Sequence, residues 1–524
     1  MPLLDTDGPL APVGVQRQRR LPPPFLLVAG LAVAVLTLIP IGFIAVYTVI
    51  IGPGEAWDLL VRPRIGELLW NTARLVVVGC LLSIGLGLAC AWLVERTNVP
   101  CRRLWHVLLA APLAVPAFVN SYGWVSLTHN VEGFGGAALI VTLSYFPLVY
   151  LPVAAALRGL DPALEEASYS LNNNAWQTFW RVVVPQLRPA ILGGTLLVGL
   201  HLLAEFGALQ MLRFPTFTTA IYDQYRSSFN GPAANMIASV LVLCCLVLLL
   251  AELKLRGNRR LSRVGGGAAR ATSPYRLGRF AFPSLLALAA LVVLALGVPL
   301  GSLVHWLVVG TSTTFPLGAL GSAAATSLLL GATAAVLTTV FALPVAWIAI
   351  RYRGVASNIV ERSTYIGNAL PGIVVALALV TVSIHVARPV YQTYVLLLLA
   401  YSIMFLPRAV VNVRAALEQA PPLLDDVAHS LGAGPFSTAR RVTLPLMIPG
   451  LGAGGALVFL AVATELTATL LLAPIGTTTL ATQFWSNSSS LAYGAAAPFA
   501  LLMILISMPA TYLLSRNVKG SVVP

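Results

Sequence analysis

Residues 161–185 read DPALEEASYSLNNNAWQTFWRVVVP, and residues 421–445 read PPLLDDVAHSLGAGPFSTARRVTLP. Each has a proline where a helix would start, a position at which the missing N–H costs nothing. Carboxylates follow in the first turn, where the helix dipole favours them: Glu165 and Glu166 in one stretch, Asp425 and Asp426 in the other. The pattern predicts two short helices ending at Asn172 and Gly432, residue types that tolerate the left-handed conformation of a helix stop. A basic amphipathic piece then leads through Phe179-Trp180-Arg181 to Pro185, or through Phe436 and Arg440-Arg441 to Leu444-Pro445. A polar helix held between two long apolar runs is a lever lying against one membrane face.

The two stretches are copies of one another. At an offset of 260 residues and without gaps, Pro147 falls on Pro407, Ala155-Ala156-Leu157 on Ala415-Ala416-Leu417 and Ser170-Leu171 on Ser430-Leu431. Arg181-Val182 then falls on Arg441-Val442, Pro189 on Pro449, Glu205 on Glu465 and Thr218-Thr219 on Thr478-Thr479. Upstream, an offset of 255 places Ala91-Trp92 on Ala346-Trp347 and Pro116 on Pro371. The chain is therefore an internal duplication.

The solvent for both copies is a bilayer. Of the 524 residues, 58% are hydrophobic and 10% charged, against about 25% charged in a soluble domain. Twelve apolar runs lie near 25–50, 71–94, 104–125, 136–157, 190–210, 234–253, 282–309, 324–350, 363–383, 389–411, 446–472 and 494–514. About 20 apolar residues suffice to cross the hydrocarbon core as a helix. The runs are continuous rather than alternating, which argues for helices over barrel strands. The first is too long for a signal-peptide core, so 25–50 reads as a retained span.

Six runs per copy is an even number, so both copies enter the membrane in the same orientation as parallel repeats. The expected division is a first half at 1–253, an Arg- and Gly-rich linker at 254–280 and a second half at 281–524. With the N-terminus inside, the outer side receives only Arg62, Arg64, Arg74, Arg213, Arg226 and Arg388, six of the 32 Lys+Arg. That asymmetry predicts both termini in the cytoplasm. It also accounts for much of the net charge of +14, which has no aromatic-interleaved basic stretch to suggest nucleic-acid binding. The five cysteines, none in a C-x-x-C pairing, read as packing residues.

The duplicated loops resemble the "EAA" loop, E-A-A-x-x-x-G, of the permeases of binding-protein-dependent ABC importers, and the resemblance covers both halves. It implies an all-α integral membrane protein of type I importer architecture in the cell inner membrane. Its partners would be two copies of a separate ABC ATPase subunit and an extracytoplasmic substrate-binding protein. It places ATPase coupling at Glu165, Glu166, Ala167, Leu171 and Asn172, and at Asp425, Asp426, Ala428, Leu431 and Gly432. Asn172 departs from the family's glycine, Ser168 from an alanine, and Asp426-Val427 from Glu-Ala. An absent ATPase agrees with the residues themselves: the only lysines, Lys254 and Lys519, lie outside any G-x-x-x-x-G-K-[ST] context.

Inside the runs, Glu205 and Glu465 occupy equivalent places and are expensive there, so they are pathway or gate candidates. Equally, they could be packing residues satisfied by Thr464, Thr467 or backbone. His201 stands one turn before Glu205, but its counterpart is Ala461, which favours packing over metal binding; no metal site, cofactor or catalytic constellation is expected. The segments 203–208, 217–222, 464–472 and 479–485 look like the ferric-iron branch of these permeases. Thiamine, phosphonate and polyamine permeases share the architecture. An ion-gradient-driven secondary transporter would use the two acids but leaves the duplicated loop helices unexplained.

Overall fold

The computed structural model describes residues 22–228, 230–256, 274–310, 313, 315–352, 354–367 and 370–517. The linker residues Arg259, Arg260, Arg263, Gly265, Gly266, Gly267 and Arg270 lie outside them. Lipid offers no partner to a backbone N–H or C=O, so a chain of this composition pairs them within helices. No strand occurs among the described residues; an isolated bridge joins Thr97 and Tyr275.

Among these residues nine helices are long and apolar enough to span a bilayer. They are Pro24–Ile51, Pro63–Arg96, Phe134–Gly159, Ala175–Ala204, Gly231–Glu252, Gly278–Val309, Leu317–Arg351, Tyr394–Glu418 and Pro435–Ala463. The three other expected runs are broken or short. The third is a pair, Arg102–Ala114 and Ala117–Val125, bent by 90°. In the ninth, expected at 363–383, an apolar helix begins only at Gly372 and ends at Val386, and the twelfth is Tyr493–Pro509. Proline accounts for the breaks in the third and ninth. Pro116 caps the helix Ala117–Val125 and Pro371 caps Gly372–Val386 with nearly the same backbone angles, φ −55° and −58°. A residue preceding proline is pushed out of the helical region.

The residues group into two compact units. One comprises Met1–Leu38, Ala335–Asn368 and Phe405–Val458, and the other Ile39–Ala334, Ala369–Met404 and Phe459–Pro524. Within the first unit, span 1 lies on second-half residues: a Cβ built on Gly30 would stand 2.5 Å from Ile348 Cδ1. Within the second unit, span 7 lies on first-half residues: Gly123 abuts the Pro299 backbone and Ser126 Oγ lies 2.7 Å from Ser302 Oγ. The leading span of each repeat thus packs on the other repeat. The core of the second unit also mixes repeats, joining Phe118 and Tyr122 to Phe206, Leu466, Phe484 and Trp485.

Candidate functional site: two loop helices and two broken spans

The first loop helix is Pro162–Ser170 and the second Pro422–Ser430. Asp161 caps the first, its Oδ1 accepting the Ala163 N–H at 3.0 Å. Both stop in the same way. Asn172 (φ 61°) and Gly432 (φ 83°) take the left-handed conformation. The N–H of Asn172 bonds Tyr169 O and that of Asn173 bonds Ser168 O; Gly432 bonds His429 O and Ala433 bonds Ala428 O. This paired 5→2 and 6→1 pattern satisfies the last carbonyls and turns the chain sharply. A four-residue helix follows, Ala175–Thr178 or Pro435–Thr438, and then a π-helical turn at Phe179–Val183 or Ala439–Thr443. The π turns sit 260 residues apart, as the sequence repeat does, and lead into spans 5 and 11.

Each pair of adjacent carboxylates is divided between two faces. Glu166 and Asp426 are exposed, whereas Glu165 is 5% exposed. Glu165 Oε1 lies 2.8 Å from Arg96 Nη2, and Asp425 Oδ2 lies 2.9 Å from Arg351 Nη2. Arg96 and Arg351 are the last residues of spans 2 and 8. In the first half Tyr275 completes the arrangement: its hydroxyl donates to Glu165 Oε2 at 3.2 Å and lies 2.6 Å from Tyr169 Oη. Burial, aided by these neighbours, pushes the Tyr275 phenol above its usual range, so it stays a neutral donor. In the second half Thr443, from the π turn, donates to Asp425 Oδ1 at 2.8 Å.

Ten residues were expected to couple to an ATPase, and the structure separates them. Glu166, Ala167, Leu171, Asn172, Asp426, Leu431 and Gly432 are exposed, Leu171 and Leu431 most of all at 78% and 82%. Glu165 and Ala428 are buried and Asp425 is mostly covered, so these three side chains turn inward. The inward turn follows from helix geometry, since neighbours are about 100° apart around the axis. Leu423 and Val427 on the second loop helix, and Trp176 and Phe436 just beyond each loop helix, also stand exposed and were not among the expected coupling residues. Large apolar residues within these charged loop segments were the available signal.

Glu205 and Glu465 are not on helix faces, as continuous spans at 190–210 and 446–472 would have placed them. Span 5 ends at Ala204, and a new helix runs Gly207–Met211; span 11 ends at Ala463, and a new helix runs Thr467–Leu472. Each glutamate occupies the break and caps the new helix. Glu205 Oε1 accepts the Ala208 N–H at 2.9 Å, and Glu465 Oε1 accepts the Ala468 N–H at 3.0 Å. Threonine hydroxyls donate to their main-chain carbonyls, Thr218 to Glu205 and Thr469 to Glu465. The Tyr145 hydroxyl donates to Glu205 Oε2, and the phenol lies within electrostatic reach of Glu465. His201 packs its ring 5.3 Å from Tyr145, with Nδ1 2.8 Å from Leu197 O. Because the helix ends before Glu205, the His201–Glu205 i, i+4 face does not form.

The helix after each break shows that the repeat shifts register there. Thr216 caps Phe217–Arg226 and Thr479 caps Leu480–Ser489, each in a reciprocal capping box, with Thr219 and Thr482 as partners. Thr72 meets the Phe217 N–H as Ser327 meets the Leu480 N–H. The structural partner of Thr216 is therefore Thr479, three residues beyond the gapless match.

Two repeats of apolar helices, each with an exposed polar helix on one loop and a broken span behind it, define a membrane permease moved from outside itself. Residues 83–255 and 342–519 both match the family described as binding-protein-dependent transport system inner membrane component. The chain is 39% identical over 503 residues to the Fe(3+)-transport system permease protein FbpB 2 of Haemophilus influenzae, covering 95% of this chain and 99% of that protein. It is 25% identical over 421 residues to the ferric transport system permease protein FbpB of Actinobacillus pleuropneumoniae, covering 75% of this chain and 60% of that protein. It is 29% identical over 269 residues to the sulfate transport system permease protein CysT of Escherichia coli, covering 46% of this chain and 97% of that protein.

The chain belongs to the family of binding-protein-dependent transport system inner membrane components. It is a multi-pass inner-membrane transport subunit of an ABC importer rather than an enzyme, and it works with a substrate-binding protein and an ATPase. Membership displaces the ion-gradient alternative.

Proposed function

We propose that this permease carries ferric iron into the cytoplasm. The observation that carries the substrate is the 39% identity, over nearly the whole length of both chains, to a protein named for Fe(3+) transport. The site chemistry supports it. Carboxylate oxygens at Glu205 and Glu465 and the phenol of Tyr145 are hard ligands, the kind that suits a highly charged cation. In this reading both termini are cytoplasmic, with 26 of the 32 Lys+Arg on that side, and the halves 1–253 and 281–524 are joined by the linker 254–280.

Two copies of the ATPase engage the exposed faces of the two loop helices, with Glu166 and Asp426 as charged contacts and Leu171 and Leu431 as apolar ones. Closure of the ATPase pair draws the helices together, and the π turns pass the movement to spans 5 and 11. The breaks at Glu205 and Glu465 then separate, and the aromatic contacts of Phe118, Tyr122 and Phe206 with Phe484 and Trp485 open a path to the docked binding protein.

Uptake into vesicles containing this chain, its ATPase and a ferric-loaded binding protein tests the substrate. Ferric iron should accumulate only with both ATP and the binding protein. The second reading is sulfate, favoured by the likeness of one half to CysT; accumulation of sulfate and not iron would replace the proposal.

A further inference from the structure

We propose that Arg96 and Arg351 are positioning residues that tie each loop helix to the end of span 2 or span 8, giving the ATPase a second mechanical path into the membrane. This rests on the reading of the loop helices as ATPase contacts. The path proposed above sends the movement forward along the chain, through the π turns into spans 5 and 11. The two ion pairs run the other way.

The geometry is duplicated in detail. Each arginine is the final residue of its span, and each carboxylate is the fourth residue of its loop helix. Both pairs are enclosed, with side-chain exposures of 3% and 7% for Arg96 and Glu165 and 15% and 20% for Arg351 and Asp425. Burying two charges adds little net stability, and well-packed apolar residues do as well. A directional bond held between the same two elements in both repeats fits a positioning role. Its neighbours, Glu166 and Asp426, point away and leave the outer face to the partner.

Among the described residues, the third member of each tie differs. Tyr275 lies at the C-terminal end of the inter-repeat linker. Its N–H bonds Arg96 O at 2.8 Å, its O accepts the Asn98 N–H at 3.1 Å, and its ring stacks 5.6 Å from Trp92. With its hydroxyl on Glu165, it straps the first loop helix to span 2 through backbone and side chain together. The second tie has Thr443 as its third member, where the first half has the buried apolar Val183. The C-terminal end of the linker therefore stiffens the first coupling path.

The test uses the full complex in vesicles, measuring uptake and ATP hydrolysis together. The double variant Arg96→Met with Glu165→Met keeps the volume filled; the ATPase should stay bound and hydrolyse, while uptake per ATP falls about tenfold. Arg96→Lys should restore most of it. Tyr275→Phe, a milder change that leaves the ion pair intact, should lower uptake per ATP about threefold, the worth of one neutral hydrogen bond. Unchanged uptake per ATP in both Tyr275→Phe and the methionine pair overturns the tie; if the pair fails to fold, unchanged coupling in Tyr275→Phe and Thr443→Val does so. Undiminished ATPase binding after Glu166→Ala with Asp426→Ala would instead remove the reading beneath it.

Discussion

At the scale of single residues, two glutamates expected either to line a pathway or gate or to pack are caps at helix breaks. A carboxyl that accepts a backbone N–H, and at Glu205 also a phenol O–H, is satisfied where it sits, and its remaining lone pairs can still face a cation. Replacing both, Glu205→Gln and Glu465→Gln, keeps an acceptor for Ala208 and Ala468, so membrane levels should stay normal. Uptake of iron should fall by about tenfold or more, as expected when a charged contact is lost; unchanged uptake would leave them as caps alone. The helix stops offer a second residue-scale prediction. Asn172 already stands left-handed, so Asn172→Gly should be neutral or slightly stabilising. Gly432→Ala places a Cβ in the left-handed region and should cost about 1–2 kcal/mol, read as a lower melting temperature.

At the scale of elements, close backbone approach at glycines adds to the packing of large side chains. A Cβ on Gly194 in span 5 would stand 2.8 Å from Leu148 O and from Val149 Cα in span 4, and one on Gly454 in span 11 would stand 2.9 Å from Asn412 Cβ in span 10. These glycines are 260 residues apart, so the duplication preserves a small-residue contact of the kind that lets membrane helices approach. Gly194→Leu should force spans 4 and 5 apart and destabilise by about 1–3 kcal/mol, as overpacking does. Thermal unfolding in detergent would measure it, with Gly193→Leu as control, since nothing lies within 4 Å of a Cβ there. The π turns are an element-scale feature that sequence patterning does not reveal. Pro185 and Pro189, like Pro445 and Pro449, withhold N–H donors just beyond each turn, and the Val184 and Leu444 N–H groups reach back five residues to Phe179 O and Ala439 O.

For the whole molecule, one chain carries two loop helices, so one chain should recruit two ATPase subunits. Native mass measurement of the purified complex should give a ratio of one to two; one ATPase per chain would mean that only one loop helix docks. The exchanged packing of spans 1 and 7 means that each leading span is partly buried by the other half. A first half expressed alone at 1–253 would leave span 1 without its second-half neighbours Ile348 and Val360.

The residues alone determined the solvent, the duplication, the places of the loop helices and their stops, because these depend on composition, local capping and self-similarity. The bend at Pro116 and the helix start after Pro371 were present in the sequence as prolines within apolar runs, though hydropathy read straight through them. Which carboxylate of each adjacent pair faces inward, the partners Arg96, Arg351 and Tyr275, the capped breaks at Glu205 and Glu465 and the exchange of leading spans were decided only in three dimensions. Each brings together residues tens to hundreds of positions apart, or sets the exact residue at which a helix yields to tertiary packing, and neither leaves a local pattern to read.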